Sequence, residues 1–150
     1  MSLYYLDDLA PGQQFEGDAR IRIDADQIKA FAAKFDPQPF HLDESAASAT
    51  ILEGLAASGW HTAAVTMRLL VDGESKLAGG IVGAGVDELR WPFPTRPGDE
   101  LRVVTEVLEV RPSKSRPEQG LIKMRTTTLN QDGKVVQVFV GNLVVARRPT

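Results

Sequence analysis

The sequence predicts an α+β fold in which an antiparallel sheet wraps around one long helix. Residues 58–71 are apolar around nearly the whole circumference of a helix, and Arg68 is the only charged residue among them. A helix of this kind is buried in a protein core. The chain after it reads as strands, and an Asp-Gly pair at 132–133 between two such runs is a strong hairpin signal. One buried helix and a wrapping antiparallel sheet make the α+β class.

The first half of the chain predicts one strand and two short helices before the long one. Residues 15–23 are expected to form the strand. Asp24 and Gln27 form a capping box, and apolar residues at 28, 31, 32 and 35 form one stripe of the helix that follows. Pro37 ends that helix, because the residue before a proline is pushed out of the helical region. Two prolines in three residues then predict a stiff loop, and residues 43–50 one or two helical turns.

The second half predicts four strands and their turns. The long helix is expected to end at Asp72 and Gly73, since a glycine suits a left-handed C-cap. A polar loop over 112–118 and a turn over 130–133 separate the later strands. The strands are predicted over residues 80–89, 101–110, 121–129 and 135–145.

The composition is that of an ordinary soluble protein. Its 150 residues fit a single domain, with 43% apolar and 25% charged residues. A net charge of -3 argues against a general nucleic-acid binder, which needs a basic face. The absence of cysteine excludes disulfides, thiolate metal sites and cysteine nucleophiles. No apolar run approaches the roughly 20 residues that span a bilayer, and residues 1–8 do not resemble a secretory signal. A cytoplasmic protein with no membrane partner is therefore expected.

Asp36 and His41, five residues apart on the predicted stiff loop, are the strongest candidates for catalytic groups. A rigid loop can hold an acid and an imidazole at a fixed separation, so that the pair grips one water and shares general acid/base work. Loops on rigid scaffolds are where catalytic groups tend to lie. The alternative is an ordinary turn, with Asp36 capping the helix and His41 on the surface.

Ser58 and Gly59 lie where the long helix begins, and they are candidates for binding a substrate carbonyl oxygen. The N–H groups of a first turn have no helical partner and lie at the positive end of the helix dipole. Gly59 has no side chain to block approach, so its N–H could donate to such an oxygen. The alternative is that packing at a crowded helix start requires the glycine.

Other candidates are weaker. His61, in the first turns of the helix, is interpreted as a core or interface histidine. A metal site built from His41, Asp43 and His61 has suitable ligand types, but no ligand spacing supports it and no metal is expected. A further group of arginines is interpreted as a solvated face rather than a phosphate site; it consists of Arg111, Arg116, Arg147 and Arg148.

Two stretches of the sequence resemble a known family. Residues 36–43, Asp-Pro-Gln-Pro-Phe-His-Leu-Asp, resemble the Asp-x-Asn-Pro-x-His-x-Asp motif of the MaoC-like dehydratases and (R)-specific enoyl-CoA hydratases. Asp36 and His41 match the two catalytic positions of that motif. Gly59 matches the glycine that begins the central helix in this family. The chain departs from the motif at Gln38, where asparagine is usual, and at 34–35, where a small residue and a glycine are usual.

The resemblance implies a hot-dog domain, a homodimer, and acyl-thioester tunnels near the dimer interface. The implied reaction is reversible addition of water across a 2,3-enoyl thioester, of the kind used in fatty acid metabolism, without a cofactor. Asp36 and His41 would deliver hydroxide to the β-carbon and a proton to the α-carbon, while the Gly59 N–H stabilises the enolate oxygen. The carrier would be coenzyme A, or less readily acyl carrier protein.

Two other functions are compatible with a hot-dog fold. Many hot-dog acyl-CoA thioesterases resemble one another in an acid on the central helix, but no acid lies between Gly54 and Val71 here. A non-catalytic acyl-CoA sensor usually adds a DNA-binding segment, and the residues before the first predicted strand are too few and too acidic for a helix-turn-helix.

Overall fold

The computed structural model describes residues 3–73 and 76–150, and it confirms the α+β class. A 3₁₀ turn at Leu6–Asp8 precedes the helices and strands. The helices are α1 (Ala25–Phe35), α2 (Pro39–Leu42), α3 (Glu44–Ser48) and α4 (Gly59–Asp72). The strands are β1 (Gln14–Glu16), β2 (Ile21–Arg22), β3 (Val82–Arg90), β4 (Glu100–Pro112), β5 (Gln119–Leu129) and β6 (Val135–Ala146).

The sheet is antiparallel, with the strand order β1-β4-β5-β6-β3, and β2 also pairs with β4. The long helix α4 lies against it, since Thr66 on α4 hydrogen-bonds to Thr128 on β5 and to Gln137 on β6. Within residues 3–73 and 76–150, strand β3 pairs with β6 on one side only, so its nine residues form an edge of the sheet. The helix-wrapping sheet predicted from the sequence is thus present.

The single strand predicted over residues 15–23 is wrong, because the chain leaves the sheet in its middle. Glu16 pairs with Val104 and Ile21 pairs with Leu101. Four residues, 17–20, therefore face only two, 102–103, on β4. The surplus residues loop out, which divides the predicted strand into β1 and β2.

The stiff loop predicted after Pro37 is partly a helical turn. Pro39 is the first residue of α2, a position that proline favours because its missing N–H would have no helical partner anyway. His41 therefore lies on a short helix, held by its own backbone hydrogen bond to the Gln38 carbonyl at 2.9 Å.

Helix α4 is not buried all round. Its inward face carries Thr62 and Thr66, each 2% exposed, whereas Trp60, Met67 and Val71 are 58%, 41% and 47% exposed. The sheet covers one side of the helix only, and apolar residues on the other side remain uncovered in a single chain.

The core has two parts, of which the first positions α4 and the loop before it. One joins α1, α3, α4, β4 and β6, and its buried members are Ile23, Ile28, Ala47, Leu55, Ala57, Leu69, Leu101 and Val136. The other lies under the 3₁₀ turn, and its buried members are Leu6, Leu9, Leu77, Val107, Ile122, Met124, Leu143 and Val145. Within the described ranges, no helix is long and apolar enough to cross a bilayer.

Two of the four arginines considered as a phosphate site have another partner. Arg147 pairs with Asp7 at 2.9 Å and Arg148 pairs with Asp8 at 2.7 Å. These ion pairs hold the last residues against the 3₁₀ turn. Arg111 and Arg116 are exposed, in agreement with a solvated face.

Candidate active site

Asp36 lies at the C-terminal end of α1, where Pro37 forces the chain to leave the helix. Its backbone N–H still donates to the Ala32 carbonyl at 2.8 Å, but its own φ and ψ of -155° and 64° are not helical. The exit turns the carboxylate toward the start of α4. There the Ser58 hydroxyl donates to Oδ2 at 2.7 Å, and the Gln38 side-chain amide donates to Oδ1.

The surroundings of Asp36 keep its carboxyl ionised. Burial raises its pKa, but the hydrogen bonds from Ser58 and Gln38 and the charge of His41 together outweigh burial and lower the pKa below its ordinary value. An ionised carboxylate only accepts hydrogen bonds, so Asp36 can orient a water molecule by accepting a hydrogen bond from it.

His41 is buried, with 6% of its surface exposed, and a hydrogen bond holds its ring at Nδ1. Nδ1 lies 2.6 Å from the Ala56 carbonyl oxygen, and Nε2 lies 3.3 Å from Asp36 Oδ2. Because a carbonyl can only accept, Nδ1 carries a proton. When the ring is neutral, Nε2 therefore presents its lone pair beside the carboxylate and is the nitrogen that can take up a proton.

The direct contact between His41 and Asp36 changes the predicted position of the water. A separation of 3.3 Å between Nε2 and Oδ2 leaves no room for a water on the line between them. A water held by both groups would have to lie beside this contact, at the third corner of a triangle.

Ser58 supports Asp36 and also starts the helix. It is completely buried, and its Oγ accepts a hydrogen bond from the Trp60 N–H at 3.2 Å while donating to Asp36. This is the arrangement of an N-cap residue. The hydroxyl of Ser58, a residue that sequence analysis placed at the substrate, thus has two protein partners.

Gly59 is packed against an aromatic ring. A Cβ atom at this position would lie 2.5–2.7 Å from three atoms of the Trp91 indole, which is closer than side chains approach. The packing alternative for this glycine therefore has direct support. The Gly59 N–H has no hydrogen-bond acceptor within residues 3–73 and 76–150, as expected in the first turn of a helix.

One cavity of about 360 Å³ brings several of these groups together. His41 and Gly59 line it together with Thr62, Trp91, Phe93 and Val136. Most of its wall is apolar, and such a cavity with few polar groups is typical of small-molecule sites.

Trp91 belongs to the site although sequence analysis did not single it out. Its Nε1 donates to the buried Gln137 at 2.9 Å, and its ring stands edge-on to Trp60 at 5.3 Å. Nothing in the sequence links position 91 to position 59.

His61 lies outside the cavity-lining set. Its ring stacks on Phe31 at 4.7 Å, its Nδ1 is buried without a partner among the described residues, and burial lowers its pKa. It is a core histidine, as the sequence indicated. Across the described ranges no three histidine, cysteine or acidic side chains are placed to hold a metal, and the set of His41, Asp43 and His61 is not such a group.

Comparisons with known proteins show the family to which the chain belongs. The sequence matches the family model of the MaoC like domain over residues 8–129. A MaoC-like dehydratase from Rhodospirillum rubrum is 58% identical and superposes with a TM-score of 0.94, covering 98% of this chain and 99% of that one. The R-hydratase PhaJ1 from Pseudomonas aeruginosa is 26% identical with a TM-score of 0.72, covering 96% and 86%. The mesaconyl-CoA hydratase of Cereibacter sphaeroides is 34% identical over 70 residues, which are 47% of this chain and 20% of that protein.

Proposed function

Because the chain belongs to the MaoC-like dehydratase family and has its hot-dog fold, we propose that it reversibly adds water across the double bond of a 2,3-enoyl thioester. The observation that carries this proposal is the pairing of Asp36 with His41. The Ala56 carbonyl holds the proton of His41 on Nδ1, so that Nε2 faces an ionised carboxylate at 3.3 Å beside an apolar cavity.

In the proposed reaction one water is held by the Asp36 carboxylate and His41 Nε2. Its oxygen adds to the β-carbon of the enoyl group. The proton that leaves the water passes through the Asp36–His41 pair and reaches the α-carbon, which completes the addition of H and OH. Negative charge that develops on the thioester oxygen is stabilised by the Gly59 N–H at the start of α4.

The substrate is proposed to be a coenzyme A ester. The apolar cavity wall suits an acyl chain, and a related hydratase is named for its CoA substrate. Acyl carrier protein is the alternative carrier. Ser58, which sequence analysis placed with Gly59 at the substrate, is proposed to act through Asp36 instead.

The functional unit is proposed to be a homodimer. Val82 and Val86 on the edge strand β3 are 49% and 53% exposed. Met67 and Leu70 of α4 line a second cavity, of about 150 Å³, together with Gly85 and Val86 of β3, so the bare face of the helix adjoins the bare edge of the sheet. A second copy would cover both.

Loss of the enoyl-thioester ultraviolet absorbance tests this function. Asp36→Asn and His41→Ala should each lower the hydration rate by roughly 10²–10⁴-fold, the usual effect of a positioned acid or base. The double variant should be little worse than either single variant, because both groups hold one water. Asp18→Asn, at an exposed acid remote from this pair in the chain, is the matched control.

Other outcomes would point elsewhere. Release of free thiol without loss of the double bond would identify a thioesterase, and binding without turnover would identify a sensor. A folded His41→Ala variant with full hydratase activity would exclude the proposed mechanism.

A further inference from the structure

The turn between β3 and β4 contains an arginine that binds backbone rather than acid. The Arg96 guanidinium donates to the carbonyls of Gly54 at 2.9 Å and Leu55 at 3.2 Å, and it also donates to the carbonyl of Leu52. Among the described residues no carboxylate pairs with this guanidinium. Its donors are directed instead at the irregular segment that leads into α4.

Residues 52–55 need hydrogen bonds from other parts of the chain to keep their conformation. Glu53 has a φ of 57° and Gly54 a φ of 153°, conformations that side-chain-bearing residues rarely adopt. The segment has no ladder or helix of its own to fix its carbonyls. Three charge-assisted hydrogen bonds from one planar group fix their direction instead.

The next residue along the chain, Ala56, connects this segment to the catalytic pair. Its carbonyl accepts from His41 Nδ1 at 2.6 Å, and its N–H donates to the Phe40 carbonyl at 3.0 Å. On the other side, the Ala57 N–H donates to the Thr95 carbonyl at 2.8 Å. Thr95 and Arg96 thus hold the chain immediately before and after Ala56.

We propose that Arg96 is a positioning residue that sets the tautomer of His41. By fixing the carbonyls of residues 52–55, it keeps the Ala56 carbonyl on Nδ1, so that Nε2 remains the free basic nitrogen beside Asp36. The partner of one imidazole nitrogen decides which nitrogen carries the proton. Arg96 itself does not line the site cavity, although Leu52, whose carbonyl it holds, and Ala56 do, so the tautomer of His41 is the observation that tests this role.

This inference rests on the proposed function only for its effect on rate, because the tautomer can be observed in the resting protein. With His41 and His61 as the only histidines, side-chain ¹⁵N NMR at a pH where His41 is neutral resolves each ring, and His41→Gln assigns them. The parent protein should show His41 protonated at Nδ1. Arg96→Met should show both tautomers in exchange.

The kinetic arm uses the same variants. Arg96→Met should lower kcat by roughly 10- to 100-fold, less than the roughly 10²–10⁴-fold expected for loss of the base itself. KM should change less than kcat, because the Arg96 side chain does not line the cavity. Arg96→Lys keeps the charge with fewer directed donors, and its tautomer ratio and kcat should fall between those of the parent and Arg96→Met. If Arg96→Met fails to fold, Arg96→Lys carries the test.

Arg20→Met is the matched control. Arg20 also donates to two backbone carbonyls, those of Gly17 and Ala19, but it is exposed and has no connection to the site. Its removal should change neither the His41 spectrum nor kcat. Folded Arg96 variants whose His41 stays protonated at Nδ1 would overturn the proposal, even if they are less stable. A parent protein that hydrates no enoyl thioester would overturn the proposed function but leave the tautomer result to be judged separately.

Discussion

Three neighbouring side chains lower the pKa of Asp36. Ser58 contributes most to lowering its pKa, followed by Gln38 and His41, and burial opposes all three. Ser58→Ala should therefore raise the pKa of Asp36. The acid limb of the profile of kcat/KM against pH should move to higher pH, because Asp36 must be ionised to orient the water. An acid limb that stays in place would mean that Asp36 is not the group that titrates there.

A control separates this effect from the loss of the helix cap. Ser58→Ala removes an N-cap and should cost about 1 kcal/mol, whereas glycine at this position costs a few tenths. Ser58→Gly should move the acid limb equally while preserving more stability. Because folding lowers the pKa of Asp36, its ionised carboxyl stabilises the folded protein at pH values above the unfolded pKa of about 3.9. This stabilisation is lost as the pH falls through the pKa of the folded state. On acidification, both Ser58 variants should therefore lose less stability than the parent protein does.

The contact between Gly59 and Trp91 predicts a strong coupling between the two positions. Gly59→Ala would place a Cβ 2.5–2.7 Å from the indole and should destabilise the protein by about 1–3 kcal/mol. Trp91→Ala removes the obstacle, so the double variant should be more stable than the sum of the single effects predicts. Denaturant unfolding of all four proteins measures this. Additive effects would show that the ring moves aside freely.

At the scale of elements, the patterns that predicted correctly are those in which local chemistry decides. The capping box of Asp24 and Gln27 is present, and α1 ends before Pro37 as predicted. The hairpin turn over 130–133 joins β5 and β6. In each case the residues that determine the geometry are close in the sequence.

The patterns that failed are those in which a distant partner decides. The break between β1 and β2 depends on the register of β4, about 80 residues later. The buried side of α4 includes Thr66, which bonds to polar groups on β5 and β6, and Thr62, which bonds to Thr95 in the turn before β4. The apolar composition of the helix concealed these polar contacts.

Those threonines predict a measurable contribution to stability. Thr66 Oγ1 lies 2.7 Å from Thr128 Oγ1, donates to the Thr62 carbonyl at 2.9 Å and accepts from Gln137 at 3.2 Å. Thr66→Val keeps the shape but leaves buried polar groups unpaired, which should cost about 1–3 kcal/mol. Thr127→Val, on the opposite face of β5, should stay within about 0.5 kcal/mol of the parent. Equal effects in urea unfolding would indicate that the buried network contributes nothing.

At the scale of the molecule, the sequence pointed to the residues proposed for the chemistry more readily than to the residues that hold them. Asp36, His41 and Gly59 carry a recognisable spacing and helix start. The groups that fix them, Arg96 and Trp91, come from a turn on the far side of α4 in the sequence, and their role depends on backbone carbonyls and ring packing. Neither role produces a recognisable residue spacing in the sequence.

The uncovered face of the single chain predicts the last measurement. Val86 lies on the edge strand β3, next to the bare side of α4 where Met67 is exposed. If two copies meet there, the parent should have twice the mass of the 16.3 kDa chain in light scattering at micromolar concentration. Val86→Lys and Met67→Glu should each give the mass of one chain, because a charge buried without a partner opposes association.

A matched charge elsewhere distinguishes this surface from a general effect. Thr127→Lys adds the same charge to the central strand β5 on the face turned away from α4, since its neighbours Thr126 and Thr128 are buried and Thr128 contacts the helix. It should leave the dimer intact. A parent protein with the mass of one chain, or a Val86→Lys variant that stays dimeric, would place the second copy elsewhere or exclude it.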